Sequence, residues 1–347
     1  MSREAYTFNG LGVLVQRQAC DRDLGLDHVL DGLLWVKADA VRVRPCLRLR
    51  IRLTDDELKV PSDARQIFRL EGFRGVELEN VFYLTDGRSA LLMPGGSNEG
   101  FACICPSFFE KESSEKTTFW TFAILKLLRA VEHYGLHAAG LATKDGSGLL
   151  IVGSSGSGKS TLTVGMISRG WNVLSDDALL LRSRGEGVTA LALRNYLCVD
   201  GEVARVAGLF LGAEVNDIDG RRRRKISIPA KYAGRQVAEC LRIRTVLFPR
   251  IVPDAKSILA PLSATNALRH LLVASGTHLF DAGSMPKHLE VLKTLIQHAR
   301  TYELRAGRDL RSDPTILTRL LEQKGLTDGS DGHRADQPVQ SAVPALL

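Results

Sequence analysis

The chain lacks any uninterrupted apolar run near the roughly 18 residues that spanning a bilayer requires. Its opening, MSREAYTFNG, has no apolar signal core. The expectation is a cytoplasmic protein with no membrane segment. Its six cysteines, at 20, 46, 103, 105, 198 and 240, form no CxxC pair and no Cys/His cluster at zinc spacing. They read as free thiols in a reducing compartment. No segment repeats at a period of about 20–50 residues, which excludes solenoid and propeller architectures.

What is present is a globular composition. With 347 residues, 44% hydrophobic and 24% charged, the chain can bury a core without disulfide staples, and its length suggests two domains. The net charge of +7 admits an anionic partner. Phosphate-handling proteins are often basic for a smaller reason, so charge alone does not favour nucleic acid.

The first hundred or so residues read as β-rich. In VRVRPCLRLRIRL, at 41–53, arginines fall at 42, 44, 48, 50 and 52, with mostly apolar residues between them. That is the period of a strand with one wet face. Pro45 predicts an edge strand or a bulge. KESSEKTT at 111–118 reads as a polar break. The expected division is a β-rich α+β domain over 1–112, an α/β domain over 113–324 and a disordered, polar tail over 325–347. A helix is expected from about Phe119, capped by Thr117 or Thr118 and ended by Gly135. LHAAGLA, TKDGSG and LLIVG then read as strand, hairpin turn and strand. Further helices are expected over 286–300 and 314–323, and a buried strand at IRTVLFPRI.

Residues 153–160, GSSGSGKS, match G-x-x-x-x-G-K-[ST] in full. A loop whose successive N–H groups converge needs backbone angles that Gly153, Gly156 and Gly158 reach cheaply. The following helix presents unpaired N–H groups and its positive dipole end to phosphate. Gly153, Ser154, Ser155, Gly156, Ser157, Gly158, Lys159, Ser160 and Thr161 are therefore candidate nucleotide contacts. Lys159 supplies a point charge for the β- and γ-phosphates, and the Ser160 hydroxyl can ligate Mg²⁺. An apolar strand, Leu149–Val152, runs into the loop and a helical segment leaves it, as the motif requires.

Asp176 and Asp177 lie 16 and 17 residues beyond Ser160, at the end of the next expected strand. Carboxylates at strand C-termini of α/β sheets face ligands. One can support a metal and the other accept a hydroxyl proton. On an extended strand adjacent residues point apart, so both reach one site only if the chain turns there. A hairpin centred on Asp145–Gly146 would set His137 opposite Ser154, beside the loop.

In this order and spacing, His137–Ala138–Ala139, GSSGSGKS and RGWNVLSDDALLL resemble the HPr kinase/phosphorylase-like family, in particular its shorter HPr-kinase-related serine kinases. RRRRKISIP, PLSATNALRHLL and YELRAGRDL add looser likeness, over residues 118–312 or so. The resemblance implies a mixed sheet like that of the nucleotide domain of phosphoenolpyruvate carboxykinase, with ATP and Mg²⁺. It implies phosphate transfer to a serine hydroxyl on a protein or peptide, and a homo-oligomer. By position, Lys159 and Ser160 hold phosphate and metal, Asp176 supports the metal, Asp177 is the base, and His137 stands where the family has its own His. Arg194, Arg224 and Lys225 are candidates for contacting phosphate or acceptor. The family continues into Glu-x-Arg-Gly after its Asp pair, and here Ala192 stands at the Glu position. Two other readings fit the residues: a nucleotide-dependent binding switch without transfer, and a small-molecule kinase.

Overall fold

The computed structural model is a mixed α/β protein with two nine-stranded sheets and a three-stranded one. It describes residues 2–326 except 19–21, 34, 40–43, 57, 59, 71, 143–145, 195, 201–215, 218–224, 230–239, 277–282 and 314. None of its helices, among the described residues, is long and apolar enough to cross a membrane.

The first sheet contains β1 (Ser2–Phe8), β2 (Leu11–Arg17), β3 (Val36–Ala38), β4 (Leu47–Leu53), β5 (Arg65–Leu70), β6 (Phe73–Leu78), β7 (Val81–Thr85), β8 (Ala90–Pro94) and β9 (Glu99–Ile104). Their order is β3-β1-β2-β4-β9-β8-β7-β6-β5. Alternation sends Leu49, Ile51, Phe82, Leu84, Leu91 and Ala102 to one face. There they meet the helices α1 (Leu26–Gly32) and α2 (Ser113–Ala130) through Leu30, Phe119, Trp120, Ile124 and Leu128. The Trp120 indole N–H donates to the Leu24 carbonyl at 2.7 Å, so this large ring is buried without an orphaned donor.

Two local expectations change. Arg48, Arg50 and Arg52 do alternate along β4, but β4 is an interior strand, parallel to both β2 and β9. Pro45 precedes the strand and interrupts no ladder; residues 41–43, with Arg42, lie outside the described residues. The helix α2 begins at Ser113, within the stretch expected to be a break. Its N-cap is Glu112, which forms a reciprocal capping box with Glu115. Glu is not among the usual N-cap residues, which hid this start. The helix ends at Ala130, and Gly135 lies in the strand that follows.

The second sheet is built from β10 (Tyr134–Leu136), β11 (Ala138–Ala142), β12 (Gly148–Val152), β13 (Asn172–Ser175), β14 (Leu179–Arg184), β15 (Gly187–Ala192), β19 (Cys240–Ile251), β20 (Ile258–Pro261) and β21 (Arg300–Ala306). The three-stranded sheet holds β16 (Tyr196–Asp200), β17 (Asn216–Asp217) and β18 (Lys225–Pro229). The remaining helices are α3 (Lys159–Ile167), α4 (Ala264–Ser275), α5 (Met285–His298), α6 (Arg308–Ser312) and α7 (Thr315–Gln323). Strand β19 lies parallel to β12 and β21 and antiparallel to β15. Both faces are covered, so β12 is apolar at every position. Leu149 and Ile151 pack with Leu162, Met166 and Ile167 of α3 and Leu317 of α7. Leu150 and Val152 pack with Leu271 of α4 and Leu292 and Leu295 of α5. Residues 327–347, most of the expected disordered tail, lie outside the described residues.

Candidate functional site

Strand register builds the site. Strand β11 is antiparallel to both β12 and β13, with Ala138 opposite Val152 and Gly140 opposite Ser175. The C-terminal ends of β12 and β13 therefore lie at the same sheet edge as the N-terminal end of β11. His137 directly precedes β11, Gly153 directly follows β12 and Asp176 directly follows β13. Extending the ladder by one pair sets His137 across from Gly153, one residue from the expected Ser154.

The glycine-rich loop takes the backbone its sequence anticipates. Gly156 and Gly158 have φ of 82° and 94°, the left-handed region open to glycine. Gly153 is required for space instead. A Cβ there would lie 2.5 Å from the Ser157 hydroxyl oxygen. The Lys159 ammonium, on the first residue of α3, donates to the carbonyls of Gly153 at 2.7 Å and Ser154 at 3.1 Å. It is thus held over the loop although the residue is buried. The Ser157 hydroxyl is buried in the loop with no hydrogen-bond partner among the described residues. Ser160 is half-buried, and Ser154, Ser155 and Thr161 are exposed around the loop and the first turn of α3.

Asp176 and Asp177 occupy the bend between β13 and β14, so the chain does turn where it must. Asp176 is buried at 1% exposure. Asp177 is half-buried at the same edge. Its Oδ1 is 3.1 Å from His137 Nδ1, and its own carbonyl oxygen is 3.0 Å from that nitrogen. Two acceptors on one ring nitrogen favour the tautomer with a proton on Nδ1. The Oδ2 of Asp177 faces Arg194 Nη1 at 3.5 Å. The carboxylate is therefore oriented from two sides. His137 is fixed in turn by its backbone N–H, which donates to the Ala274 carbonyl near the end of α4 at 3.0 Å.

Arg224 lies outside the described residues. Lys225 opens β18 opposite Asp200, and its side chain is outside them too. Ala192 ends β15 and is buried at 1% exposure. Among the described residues no group of three or more His, Cys, Asp and Glu side chains could hold a metal. A cation at this edge would have to rely on few protein oxygens. Ser160 and Asp176 offer the hydroxyl and carboxylate donors that suit a hard ion such as Mg²⁺.

One supporting cluster has no sequence signal. Arg129 of α2 is buried and donates through Nε to the Ser284 hydroxyl at 2.7 Å, with Nη1 3.2 Å from His288 Nδ1. The His288 ring stacks on Tyr134 at 4.7 Å between centroids. These residues lie far apart in sequence, so only folding assembles them.

The fold and this edge define a mixed α/β protein carrying a strand, glycine loop and helix beside an Asp pair. No protein-family model matches the chain. The HPr kinase/phosphorylase of Chlorobium chlorochromatii is 46% identical over 52 residues, 15% of this chain and 16% of that protein. That of Chlorobaculum tepidum is 31% identical over 92 residues, 26% of each chain. A solved HPr(Ser) kinase/phosphatase from Coxiella burnetii is 13% identical, covering 55% of this chain and 96% of that one at a TM-score of 0.29. Over these segments the chain is similar to HPr kinase/phosphorylases, the family its motifs resemble. The aligned segments span between a sixth and about a quarter of the length of these two curated relatives.

Proposed function

We propose that this chain is a Mg²⁺-ATP-dependent serine kinase, with a nucleotide domain like that of phosphoenolpyruvate carboxykinase and a protein or peptide as acceptor. The observation that carries this reading is the convergence of Gly153–Ser160, Asp176, Asp177 and His137 at one sheet edge through the registers of β11, β12 and β13. The likeness to proteins named HPr kinase/phosphorylase supports it.

In this reading the loop N–H groups and the Lys159 ammonium hold the β- and γ-phosphates at the positive end of α3. Ser160 and Asp176 hold Mg²⁺, which when bound supplies charge neutralisation on the transferring group. Asp177 accepts the proton of the attacking serine hydroxyl. Its carboxylate is aimed by His137 and Arg194, so one contact lies on each oxygen. Phosphoryl transfer has a loose transition state, so positioning and charge do most of the catalysis. A half-buried base held by two neighbours at the sheet edge meets that need.

The test is incubation with γ-labelled ATP, Mg²⁺ and a lysate of the source organism, beside a Lys159→Ala control. A labelled polypeptide absent from the control supports the reading, and mass spectrometry then names the acceptor residue. Label confined to a small molecule, or nucleotide binding with no transfer, refutes protein phosphorylation.

A further inference from the structure

The first sheet has a second face, opposite the one covered by α1 and α2. Core residues Leu47, Leu49 and Ile51 of β4, Ala102 and Ile104 of β9, Leu91 and Met93 of β8, and Phe82 and Leu84 of β7 all point to the helices. Their neighbours on each strand must point away. Register lines these neighbours up across the sheet. Arg50 is opposite Phe101, Phe101 opposite Leu92, Leu92 opposite Tyr83. An adjacent row runs from Arg52 through Cys103, Ala90 and Thr85 to Arg74, which faces Arg69 on β5; Ala90 and Thr85 are fully buried, so only the ends of this row are open.

The charges on this face are one-sided. Arg48, Arg50 and Arg52 sit at the β4 end, and Arg69 and Arg74 at the far end. Glu99 is the acid placed among them, and it pairs with Arg48 at 2.9 Å and Arg50 at 3.3 Å. Arg52, Arg69 and Arg74 are exposed and have no ion pair among the described residues. Arg69 and Arg74 stand directly opposite each other, an arrangement that costs stability through like-charge repulsion. Between the two basic ends the accessible row is apolar and aromatic. Phe101 is 36% exposed, Tyr83 and Leu92 are partly exposed, and the Arg50 guanidinium lies 5.4 Å from the Phe101 ring centroid. Aromatic residues and arginine are the types enriched at protein interfaces.

We infer that this face docks an acidic amphipathic segment of a partner protein, with its apolar side chains over Phe101, Leu92 and Tyr83 and its carboxylates on the two arginine groups. The spacing fits such a segment. Arg52 and Arg74 are separated by four strand intervals, about 19 Å at roughly 4.8 Å each. A helix covers that distance in about 13 residues at 1.5 Å per residue. A nucleic acid fits less well. Its charge is evenly spaced, whereas here the cations are split by an apolar centre, and one face of the aromatic ring best placed for stacking is taken by Arg50. This surface lies on the first sheet, and the inference does not depend on the kinase reading.

The probe is a fluorescein-labelled 20-residue peptide, helical by design, with Glu in its first and last turns and Leu and Phe at i, i+3, i+4 and i+7 between them. Binding to the full chain is followed by anisotropy, without nucleotide. The controls are the same peptide with Lys for Glu and a labelled 20-nucleotide single strand. The acidic peptide is expected to bind saturably and the Lys peptide not at all. Arg52→Glu with Arg74→Glu should weaken binding tenfold or more, and Phe101→Ala several-fold. All three positions are exposed, so melting temperatures should stay near that of the unaltered chain; Arg52→Gln with Arg74→Gln replaces any variant that does not fold. No binding of the acidic peptide, binding indifferent to these substitutions, or tighter binding of the oligonucleotide through the same arginines would each overturn the proposal.

Discussion

Gly153→Ala tests the glycine loop most directly. Gly153 has no positive φ, so the argument is spatial. An added Cβ would meet the Ser157 oxygen at 2.5 Å and the Ser157 Cβ at 3.0 Å, while Pro249 at 3.6 Å is an ordinary neighbour. Overpacking of this kind costs about 1–3 kcal/mol where atoms cannot move. Here they can, because Ser154, Ser155 and Gly156 are exposed. The loop is expected to yield while the fold stays intact. Its opening would displace the Gly153 and Ser154 carbonyls that hold Lys159. Nucleotide affinity should then fall ten- to a hundredfold, about 1.4–2.8 kcal/mol, with a melting temperature close to that of the unaltered chain. The assay is titration of a fluorescent ATP analogue with Mg²⁺. Adding Ser157→Gly removes both clashing atoms, so the double variant should regain most of the affinity. Unchanged binding by Gly153→Ala, or no recovery in the double variant, would refute the reasoning.

Asp177→Asn should bind nucleotide as the unaltered chain does and transfer label to no polypeptide; a fully active variant removes the proposed base. His133 adds a pH dependence. Burial holds its pKa below the ordinary value, its ring Nδ1 lies 2.7 Å from the Val131 carbonyl, and its buried Nε2 has no partner among the described residues to receive a second proton's hydrogen bond. Below about pH 6.5 the unfolded imidazole takes up a proton that the folded one resists. Its stability contribution is therefore intact above that value and lost as pH falls through it, and His133→Gln should flatten this part of a melting-temperature profile. Asp309 accepts from the Ser257 hydroxyl at 2.6 Å, the Ser257 N–H at 3.0 Å and the Leu310 N–H at 2.7 Å. Asp309→Ala would leave Ser257 poorly satisfied and cost about 1–3 kcal/mol in denaturant unfolding. For Asp309, desolvation works against ionisation but the Ser257 bonds outweigh it, so its pKa is lowered. The matching stability is present above the ordinary carboxylate pKa and is lost as pH falls through the lowered one.

The local elements of the second sheet were largely legible in the sequence. The apolar run Leu149–Val152, the glycine loop and the helix after it need only neighbours in the chain, so periodicity and glycine spacing reveal them. The Asp pair was legible as a pair, and a bend at this point was expected from the requirement that both residues reach one site. The start of α2 was not, because a Glu112–Glu115 box looks like any polar stretch until its side chains fold back on the backbone. Pro45 misled because its effect depends on whether it falls before or inside a strand, and strand ends are set by pairing partners.

The residues by themselves determined which chemistry the chain carries: loop glycines, a lysine, hydroxyls and carboxylates at fixed spacing, each acting through its own backbone freedom or charge. Tertiary structure decided what those groups face. The contact of Ala274 with His137, the approach of Arg194 to Asp177, and the burial of Asp176 beside a half-buried Asp177 all depend on segments far apart in the chain. So does the gathering of arginines at both ends of one sheet face, which requires β4, β5 and β6 to lie in one sheet with β7, β8 and β9 between them. Local sequence fixes spacing along a chain, while distance across a sheet is fixed by register, and register is a property of the folded whole.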